Sequence, residues 1–451
     1  MSNLFGTDGI RGRANEFPLD GSTLIGLGKG LVTYLLRRDP RKRPRLVIAQ
    51  DPRLSSVAIE SLLVEVGLAQ GAEIFRLGVL PTPAVPILCS FLGADLGLMI
   101  TASHNPYWDN GVKIFNAQGL KLSEADEVEL SELTLRGPCV AYRADSPKRT
   151  QVMQYLDGAN QYRQALLRSL QSGIDCSGYR VAVDSANGAA SNLLGPVFER
   201  LGVQLIAQSH APDGTNINDQ CGALYPEFLA QMVVEERAHL GFALDGDGDR
   251  CVLIDEKGSV LAGDEVFGVC ALDLKARGAC DGVVVSTVLA NVGLEMTLFE
   301  NGISLVRTPV GDKNVVSEMV KRSSRLGGES SGHFIFLDHS TTGDGVLSGI
   351  QVLQVMARTG KPLSELRKAI RLLPQIMVNV PVKRKDPFSN HNEILEVISS
   401  VESALQNRGR VLVRYSGTES VARVMLEGED KNRIRMFCDD IAATLARCLS
   451  E

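Results

Sequence analysis

Over most of the chain, short and nearly continuous apolar runs alternate with longer stretches in which apolar residues recur at helical spacing. Runs at 45–50, 73–77 and 98–100 predict buried strands, whereas 20–38 and 56–70 show the spacing of helices. Because strands and helices follow each other in turn, this region predicts a parallel sheet with helices on both faces.

The same alternation recurs twice before Pro374, after which the pattern changes. The second unit is predicted from a helix at 152–170, a strand at 179–184 and a helix at 189–201. The third unit is predicted from a strand at 282–286, a helix at 291–299 and a strand at 304–307. The last unit is predicted to have strands at 377–382, 410–415 and 421–426 and helices at 392–406 and 432–450. We therefore expect an α/β fold with four domains: mixed α/β domains at 1–155, 156–256 and 257–372 and an α+β domain at 373–451.

Composition narrows the class of protein. The 451 residues are 44% hydrophobic and 22% charged, which is typical of a soluble globular protein, and the formal charge of −6 argues against a nucleic-acid partner. No apolar run is long enough to cross a bilayer, and the N-terminus lacks the features of a signal peptide. Nine cysteines without a C-x-x-C pair indicate buried thiols in a reducing cytoplasm. We expect a cytoplasmic protein that binds neither nucleic acid nor membrane.

The first candidate site is the loop that follows the apolar run at 98–100. This loop carries Ser103 at the carboxyl end of a predicted strand, where open α/β sheets bind their ligands. Pro106 and the turn-forming pair Asn110-Gly111 are expected to give the loop a defined shape. A turn serine beside a histidine is the alternative interpretation of Ser103.

The second candidate site comes after the apolar run 240–244, where Asp245, Asp247 and Asp249 alternate with glycines. Like charges about 4 Å apart repel by roughly 4 kcal/mol at an effective dielectric constant of 20, so a bound cation is expected. All-oxygen ligands favour Mg²⁺. An EF-hand fails because Arg250 occupies the sixth position, where that loop requires glycine, and a solvated acidic turn is the remaining alternative.

Further candidates lie in three other polar loops. Arg11 follows a glycine-rich stretch and could place a fixed positive charge at a ligand. Glu329 and Ser331 are residue types that hydrogen-bond sugar hydroxyls, and His333 could transfer a proton near neutral pH. The alternatives are a surface arginine in an N-terminal loop and a structural histidine.

The last of these loops lies between the predicted strands at 410–415 and 421–426. Successive backbone N–H groups, two hydroxyls and an arginine side chain favour a phosphate-binding turn, formed by Arg414, Ser416, Gly417 and Thr418. A polar hairpin turn is the alternative.

Together these stretches resemble the α-D-phosphohexomutases, over essentially the whole chain. The motifs that carry the resemblance are Phe5 to Gly12, Thr101 to Pro106, Asp245 to Arg250 and Gly328 to His333. The stretches Asn216 to Glu227 and Thr341 to Gly345 are similar to the branch that acts on glucosamine phosphates. Tyr415 and Ser420 stand where the family commonly has proline.

The resemblance implies a heart-shaped arrangement of four domains around a central cleft. It implies that Ser103 carries a phosphoryl group and that one Mg²⁺ per chain is bound by a phosphoserine oxygen with Asp245, Asp247 and Asp249. The other implied roles are sugar-hydroxyl binding by Glu329 and Ser331, distal phosphate binding by Arg414, Ser416, Gly417 and Thr418, charge neutralisation by Arg250, and positions near the transferring group for Arg11, Lys113 and His333. Lys113 or His333 is the candidate general acid or base.

The implied activity is interconversion of glucosamine 6-phosphate and glucosamine 1-phosphate through a glucosamine 1,6-bisphosphate. Such a reaction would supply the synthesis of UDP-N-acetylglucosamine and the bacterial cell wall. A mutase for mannose or glucose phosphates and a non-catalytic sugar-phosphate sensor are the alternatives. The implied partner is a small sugar phosphate, and the protein is expected to be a monomer or a homodimer.

Overall fold

The computed structural model of the protein describes residues 4–6, 8–136, 140–141, 152–416 and 420–449. The chain divides into two compact units. The first comprises Met1–Leu289 and Leu305–Lys368, and the second comprises Ala290–Ser304 and Ala369–Glu451.

The N-terminal sheet is built from the apolar runs that the sequence identifies. Its elements in chain order are β1 (Ile10–Arg13), α1 (Gly21–Arg38), β2 (Arg45–Gln50), α2 (Ser56–Ala69), β3 (Glu73–Val79), α3 (Ala84–Leu92), β4 (Leu96–Ile100), β5 (Asp109–Asn116), α4 (Glu124–Arg136) and β6 (Val152–Gln154). The strand order is β1-β5-β4-β2-β3-β6, in which β4, β2, β3 and β6 are parallel and β5 runs antiparallel to both β4 and β1. Apolar side chains from this sheet and from α1, α2 and α4 form its core.

Two smaller sheets follow. The elements around the second sheet are α5 (Gly158–Arg168), β7 (Arg180–Asp184), α6 (Leu194–Leu201), β8 (Gln204–Gln208), α7 (Glu227–Glu235), β9 (Leu240–Leu244) and β10 (Cys251–Asp255), with strand order β10-β9-β7-β8. The elements around the third are α8 (Gly263–Ala276), β11 (Val283–Thr287), α9 (Val292–Glu300), β12 (Ser304–Thr308), α10 (Asp312–Arg322), β13 (Leu326–Glu329), β14 (His333–Phe336), α11 (Gly345–Thr359) and α12 (Leu363–Leu366), with strand order β12-β11-β13-β14. The helix α9 belongs to the second compact unit.

The three sheets share one feature that positions the candidate site. Each contains a parallel strand pair that continues into an antiparallel pair, namely β4 with β5, β9 with β10 and β13 with β14. The connection inside each antiparallel pair therefore starts at the carboxyl end of a buried strand. These connections hold Ser103, the acidic triplet and the stretch that ends at His333, respectively. The predicted parallel pairing is confirmed for β4, β2, β3 and β6, the antiparallel β5 adds to it, and the mixed α/β domains are confirmed.

Three local predictions are wrong. Asn110-Gly111 lies inside β5 and does not form a turn: the Asn110 side chain is buried and donates to the hydroxyls of Ser55 and Ser56. The stretch 152–170 begins with β6, which completes the edge of the first sheet, and the helix starts only at Gly158. The helix predicted at 189–201 starts at Leu194, because the preceding turns bond to the acidic loop through the N–H of Ala189 and the carbonyl of Gly246.

The C-terminal part of the chain forms an antiparallel sheet covered by helices. Its elements are β15 (Gln375–Pro381), α13 (Asn392–Leu405), β16 (Gly409–Tyr415), β17 (Val421–Gly428) and α14 (Lys431–Leu449), with strand order β15-β17-β16. One apolar core joins the two helices to this sheet, which confirms the predicted α+β domain.

The described cysteines are free thiols, and most of them are buried. Within the described ranges, no helix combines the length and the apolar character needed to cross a bilayer.

Gly111 permits the close approach of β1, β5 and the start of the Ser103 loop. A Cβ atom at this position would lie 2.4 Å from the carbonyl oxygen of Ile10 and 2.7 Å from that of Thr101, so backbone atoms would have to move. We expect Gly111→Ala to lower the free energy of unfolding by about 1–3 kcal/mol in a chemical denaturation experiment. Gly195→Ala is the control, because Gly195 lies in α6 with open space around it, and stability should stay the same or rise. Equal stability of the two variants would contradict the close approach.

Candidate active site

Ser103 occupies a strained and fully buried position directly after β4. Its φ of 55° lies in the left-handed region, and its backbone N–H donates to the Thr101 hydroxyl at 2.8 Å. The Ser103 hydroxyl donates to Oδ2 of Asp245 at 2.7 Å. The structure therefore brings the first two candidate loops together, as the sequence analysis requires.

The acidic triplet forms one buried cluster between β9 and β10. Asp245, Asp247 and Asp249 each offer an oxygen within 4.8 Å of the others. The ammonium of Lys113 donates to Oδ2 of Asp247 at 2.7 Å and to Oδ2 of Asp249 at 2.6 Å. Oδ1 of Asp247 and Oδ1 of Asp249 are buried without a hydrogen-bond partner among the described residues, although Oδ1 of Asp249 lies 3.6 Å from Nδ1 of His333. Unpartnered carboxylate oxygens in an all-oxygen cluster fit a divalent cation.

Burial and the neighbouring charges shift the pKa values of this cluster. Burial, and then the neighbouring charges of Asp247 and Asp249, raise the pKa of Asp245 to about 8. Burial alone would lower the pKa of Lys113, but Asp247, Asp249 and Asp8 raise it well above its usual value. These carboxylates favour the charged form of Lys113, and a cation bound beside Asp245 would favour the ionised form of that carboxyl.

His333, the first residue of β14, lies between two carboxylates. Its Nδ1 is 3.6 Å from Oδ1 of Asp249, and its Nε2 is 3.4 Å from Oδ2 of Asp312. Burial alone would lower the pKa of His333, but Asp249 and Asp312 raise it to about 10. The N–H of Gly343 also lies 3.0 Å from Nε2, a contact that favours the neutral form of the ring. The electrostatic attraction of two carboxylates favours the protonated form more strongly than one amide disfavours it. We therefore assign a protonated ring.

The ion pairs continue beyond His333 and close into a ring of alternating charge. Lys121 contacts Asp312 at 2.6 Å and also pairs with Asp8, whose other oxygen lies 3.2 Å from the ammonium of Lys113. The order around the ring is Asp8, Lys113, Asp249, His333, Asp312, Lys121 and back to Asp8. Residues from the regions of all three α/β sheets are thus joined by charge.

A cavity of about 650 Å³ opens beside this ring. The candidate residues among its lining are Arg11, Asp249, Arg250, Glu329, Ser331 and His333. Ser103 and Lys113 are not part of the lining and lie buried beneath it. The cavity therefore presents positive charge and hydrogen-bonding groups to a small polar ligand.

Arg250 and Arg11 provide the cations of the cavity wall. Nη1 of Arg250 lies 3.0 Å from Nδ1 of His104, and burial followed by the charges of Arg250 and Arg11 lowers the pKa of His104 to about 4. His104 is therefore neutral and accepts from Arg250. Arg11 forms an ion pair with Asp8 at the edge of the ring.

The predicted sugar-binding residues also line the cavity. Glu329 is the last residue of β13, and its Oε1 accepts from the N–H of Gly311 at 3.0 Å. Ser331 follows in the turn and is exposed to the cavity. Both residues are placed where a ligand could reach them.

The predicted phosphate-binding loop belongs to the second compact unit. Arg414 stands opposite Arg423 across β16 and β17, and burial together with that like charge lowers the pKa of Arg414. Ser416 is buried, and its carbonyl accepts from the Lys385 ammonium at 2.7 Å. Gly417 and Thr418 lie outside the described residues.

Tyr415, which replaces a common family proline, is held firmly at the start of this loop. Its ring stacks on Phe388 with a centroid separation of 4.4 Å, and its hydroxyl donates to the carbonyl of Asp386 at 2.6 Å. These contacts fix the side chain of Tyr415 at the end of β16.

Comparison with known families accounts for the whole arrangement. Models of the phosphoglucomutase/phosphomannomutase family match residues 2–137 as α/β/α domain I, 154–258 as domain II, 262–372 as domain III and 377–444 as the C-terminal domain. The chain belongs to the phosphoglucomutase/phosphomannomutase family.

Curated members of this family are similar over their full length. The chain is 44% identical to a phosphoglucosamine mutase of Myxococcus xanthus, covering 99% of this chain and 97% of the relative. It is 42% identical to a phosphoglucosamine mutase of Syntrophotalea carbinolica, covering 99% and 98%.

Solved structures show the same fold at lower identity. A phosphoglucomutase/phosphomannomutase family protein from Burkholderia thailandensis superposes with a TM-score of 0.81 at 21% identity, covering 99% of this chain and 98% of that one. N-acetylphosphoglucosamine mutase from Aspergillus fumigatus, solved with GlcNAc-6P and magnesium, gives 0.67 at 17% identity and coverages of 99% and 96%.

Sequence reasoning missed several residues of this family member's site. Asp8 lies inside the glycine-rich motif around Arg11, and Asp312 lies beside the turn that ends at Gly311, so both had a local signal. Thr82, whose hydroxyl donates to Asp247, is flanked by two prolines. Lys121 had no signal, because its role depends on a tertiary contact between distant segments.

Asp312 should set the charge state of His333. Removing one carboxylate from the ring lowers the stabilisation of the imidazolium, so Asp312→Asn should lower the pKa of His333 from about 10. The measurement is an NMR titration of the ring nitrogens in protein treated with a chelator. Asp338→Asn removes an exposed ion pair with Arg325 and serves as the control that leaves this pKa unchanged. An unchanged value in Asp312→Asn would contradict the ion-pair assignment.

Proposed function

We propose that this protein is an enzyme that interconverts D-glucosamine 6-phosphate and D-glucosamine 1-phosphate. The observation that carries the proposal is the Ser103 hydroxyl, which lies 2.7 Å from Oδ2 of Asp245 in a buried carboxylate cluster. Asp249 of this cluster also lines the cavity, together with Arg11 and Arg250. The choice of sugar is supported by full-length relatives that are named phosphoglucosamine mutases and share 40–44% identity. The reaction places the enzyme in cytoplasmic synthesis of UDP-N-acetylglucosamine.

The working form of the enzyme in this proposal carries a phosphoryl group on Ser103. Asp245, Asp247 and Asp249, together with a phosphoserine oxygen, would hold one Mg²⁺, consistent with the unpartnered carboxylate oxygens. The structural neighbour from Aspergillus fumigatus was solved with magnesium. When bound, such an ion offsets the charge that develops on the transferring phosphoryl group.

The protein's own groups can then be assigned parts in the transfer. The bond between phosphorus and the Ser103 oxygen breaks while a bond forms to the 1- or 6-oxygen of the sugar. The hydroxyl proton of the sugar passes to the group that has protonated the serine oxygen, so that this group is restored. Lys113 and His333 are the candidates for this group, because neighbouring carboxylates raise the pKa of both and favour their charged forms. Arg11 and Arg250 add positive charge from the cavity wall.

The sugar must next turn end for end as a 1,6-bisphosphate so that its other phosphate returns to Ser103. Glu329 and Ser331 would bind sugar hydroxyls in either orientation, because they lie on one wall of the cavity. The second phosphate group is proposed to be bound by Arg414, Ser416, Gly417 and Thr418. The repulsion between Arg414 and Arg423 is consistent with an anion-binding role.

A comparison of three sugar 6-phosphates tests the function. We expect the highest kcat/KM with glucosamine 6-phosphate and lower values with the mannose and glucose analogues. Ser103→Ala should abolish turnover and the mass increase due to phosphate, whereas Ser90→Ala, at an exposed position, should keep both. Full activity of Ser103→Ala would overturn the phosphoserine role, and a preference for mannose or glucose phosphate would overturn the substrate.

Metal removal is the second test. The wild-type enzyme should lose activity in EDTA and regain it with Mg²⁺, because the buried carboxylates would otherwise repel each other. Asp247→Asn should weaken Mg²⁺ binding measured by calorimetry by more than about tenfold, since it removes a ligand oxygen. Asp175→Asn changes an exposed aspartate and should bind Mg²⁺ normally. Unchanged affinity in Asp247→Asn would rule out this cluster as the metal site.

A further inference from the structure

Two backbone carbonyls of the serine loop, those of Ser103 and Asn105, are held by the same pair of side chains. Nη2 of Arg53 donates to both carbonyl oxygens at 2.8 Å. Nδ2 of Asn218 donates to the same two oxygens at 2.9 Å and 3.1 Å. Each carbonyl therefore accepts two hydrogen bonds, which uses both of its lone pairs.

Arg53 is committed entirely to this loop. Its side chain is fully buried, Nε donates to Asp51 at 2.9 Å, and Nη1 donates to the carbonyls of Pro106 and Asp109. The five N–H donors of the guanidinium are thus matched by one carboxylate and four carbonyl contacts. An arginine whose donors are all taken up by the protein itself fixes the path of the loop rather than binding a ligand.

Asn218 reaches the serine loop from the second α/β domain. It is buried, has a φ of 58°, and its own N–H donates to the carbonyl of Ala186 at 3.0 Å. The acidic loop passes directly beside it: a Cβ on Gly246 would lie 2.6 Å from Nδ2 of Asn218 and 2.8 Å from the carbonyl oxygen of Ser103. One amide group therefore fixes the serine loop at the point where the acidic loop passes closest to it.

We propose that Arg53 and Asn218 are positioning residues for phosphoryl transfer, which hold Ser103 in its left-handed conformation and keep its oxygen directed at the carboxylate cluster. Serine rarely adopts a positive φ, so the loop requires such restraint from its surroundings. Without the two side chains, the buried carbonyls would lose their partners and the loop would relax. This inference rests on the proposed function of Ser103 and adds residues that do not contact the substrate.

The Asn218→Asp variant tests the inference with the least disturbance. Aspartate has nearly the same size and tolerates a positive φ, but its carboxylate cannot donate to the two carbonyls. We expect kcat to fall about 10- to 100-fold with KM changed by less than about threefold, because the reacting oxygen is misplaced while the sugar site remains. Hydrogen–deuterium exchange of the backbone at 101–109 should accelerate. Asn218→Gly, which also permits the conformation and lacks the amide, should behave in the same way.

Asn216→Ala is the matched control from the same loop. The Asn216 side chain bonds only to the backbone of Ala211 and Asp213, so this variant loses two local hydrogen bonds without touching the serine loop. It should keep kcat and the exchange rate at 101–109 near wild type. The inference is overturned if Asn218→Asp retains kcat within about twofold and unchanged exchange, or if Asn216→Ala shows the same losses.

The Arg53→Lys variant tests the positioning role of Arg53 separately from that of Asn218. Its melting temperature is measured together with kcat. A lysine offers three donors in place of five, so exchange at 101–109 should rise even where the variant stays folded. Failure of the proposed function would appear as a wild-type protein that turns over no glucosamine phosphate. Failure of the positioning role appears in the exchange experiment, which needs no substrate.

Discussion

The structure depends on the neutralisation of negative charge at one buried point. Asp245, Asp247 and Asp249 are withdrawn from water and lie close together, and Asp8 and Asp312 add two more carboxylates nearby. Positive side chains lie close to these carboxylates, and most of them belong to the closed ring of ion pairs. They are Lys113, Lys121, His333 and Arg250. Breaking any member of such a ring leaves an unpaired buried charge, which costs several kcal/mol. The ring therefore ties the three α/β domains together.

The ring of ion pairs can form because each of the three sheets has a connection at the same place, between a buried parallel strand and its antiparallel neighbour. In each sheet a buried parallel strand ends at a connection to an antiparallel neighbour, so Ser103, the triplet and His333 are carried on equivalent connections. Close approach of these connections requires the absence of side chains at particular points. A Cβ at Gly343 would lie 2.5–2.6 Å from three ring atoms of His333, and one at Gly246 would meet Asn218 and the serine loop. Repetition of one local arrangement thus builds a site that no single domain contains.

This origin explains what the sequence could predict. Strands and helices with strong periodicity were placed within a few residues, and Ser103 and the three aspartates were identified because they interrupt apolar runs with polar residues. The turn predicted at Asn110-Gly111 is wrong, because burial of the Asn110 side chain against two serines overrides the local turn propensity. Lys121, Arg53 and Asn218 could not be found, because an ordinary charged or amide residue becomes important only through contacts across 50 to 115 positions of the chain. Tertiary partners, unlike periodicity, leave no local pattern.

The position of Ser103 also connects its chemical state to the charge balance of the triplet. In the unmodified protein its hydroxyl donates a hydrogen bond to Oδ2 of Asp245, whose pKa is raised by burial and by Asp247 and Asp249. A phosphorylated serine has no such proton and presents acceptor oxygens with additional negative charge at the same place. The change would turn a donor into a charge that repels Asp245, and a divalent cation between the two groups removes that repulsion. Phosphorylation and metal binding should therefore reinforce each other, while the restraint from Arg53 and Asn218 keeps the serine oxygen at the shared position in both states.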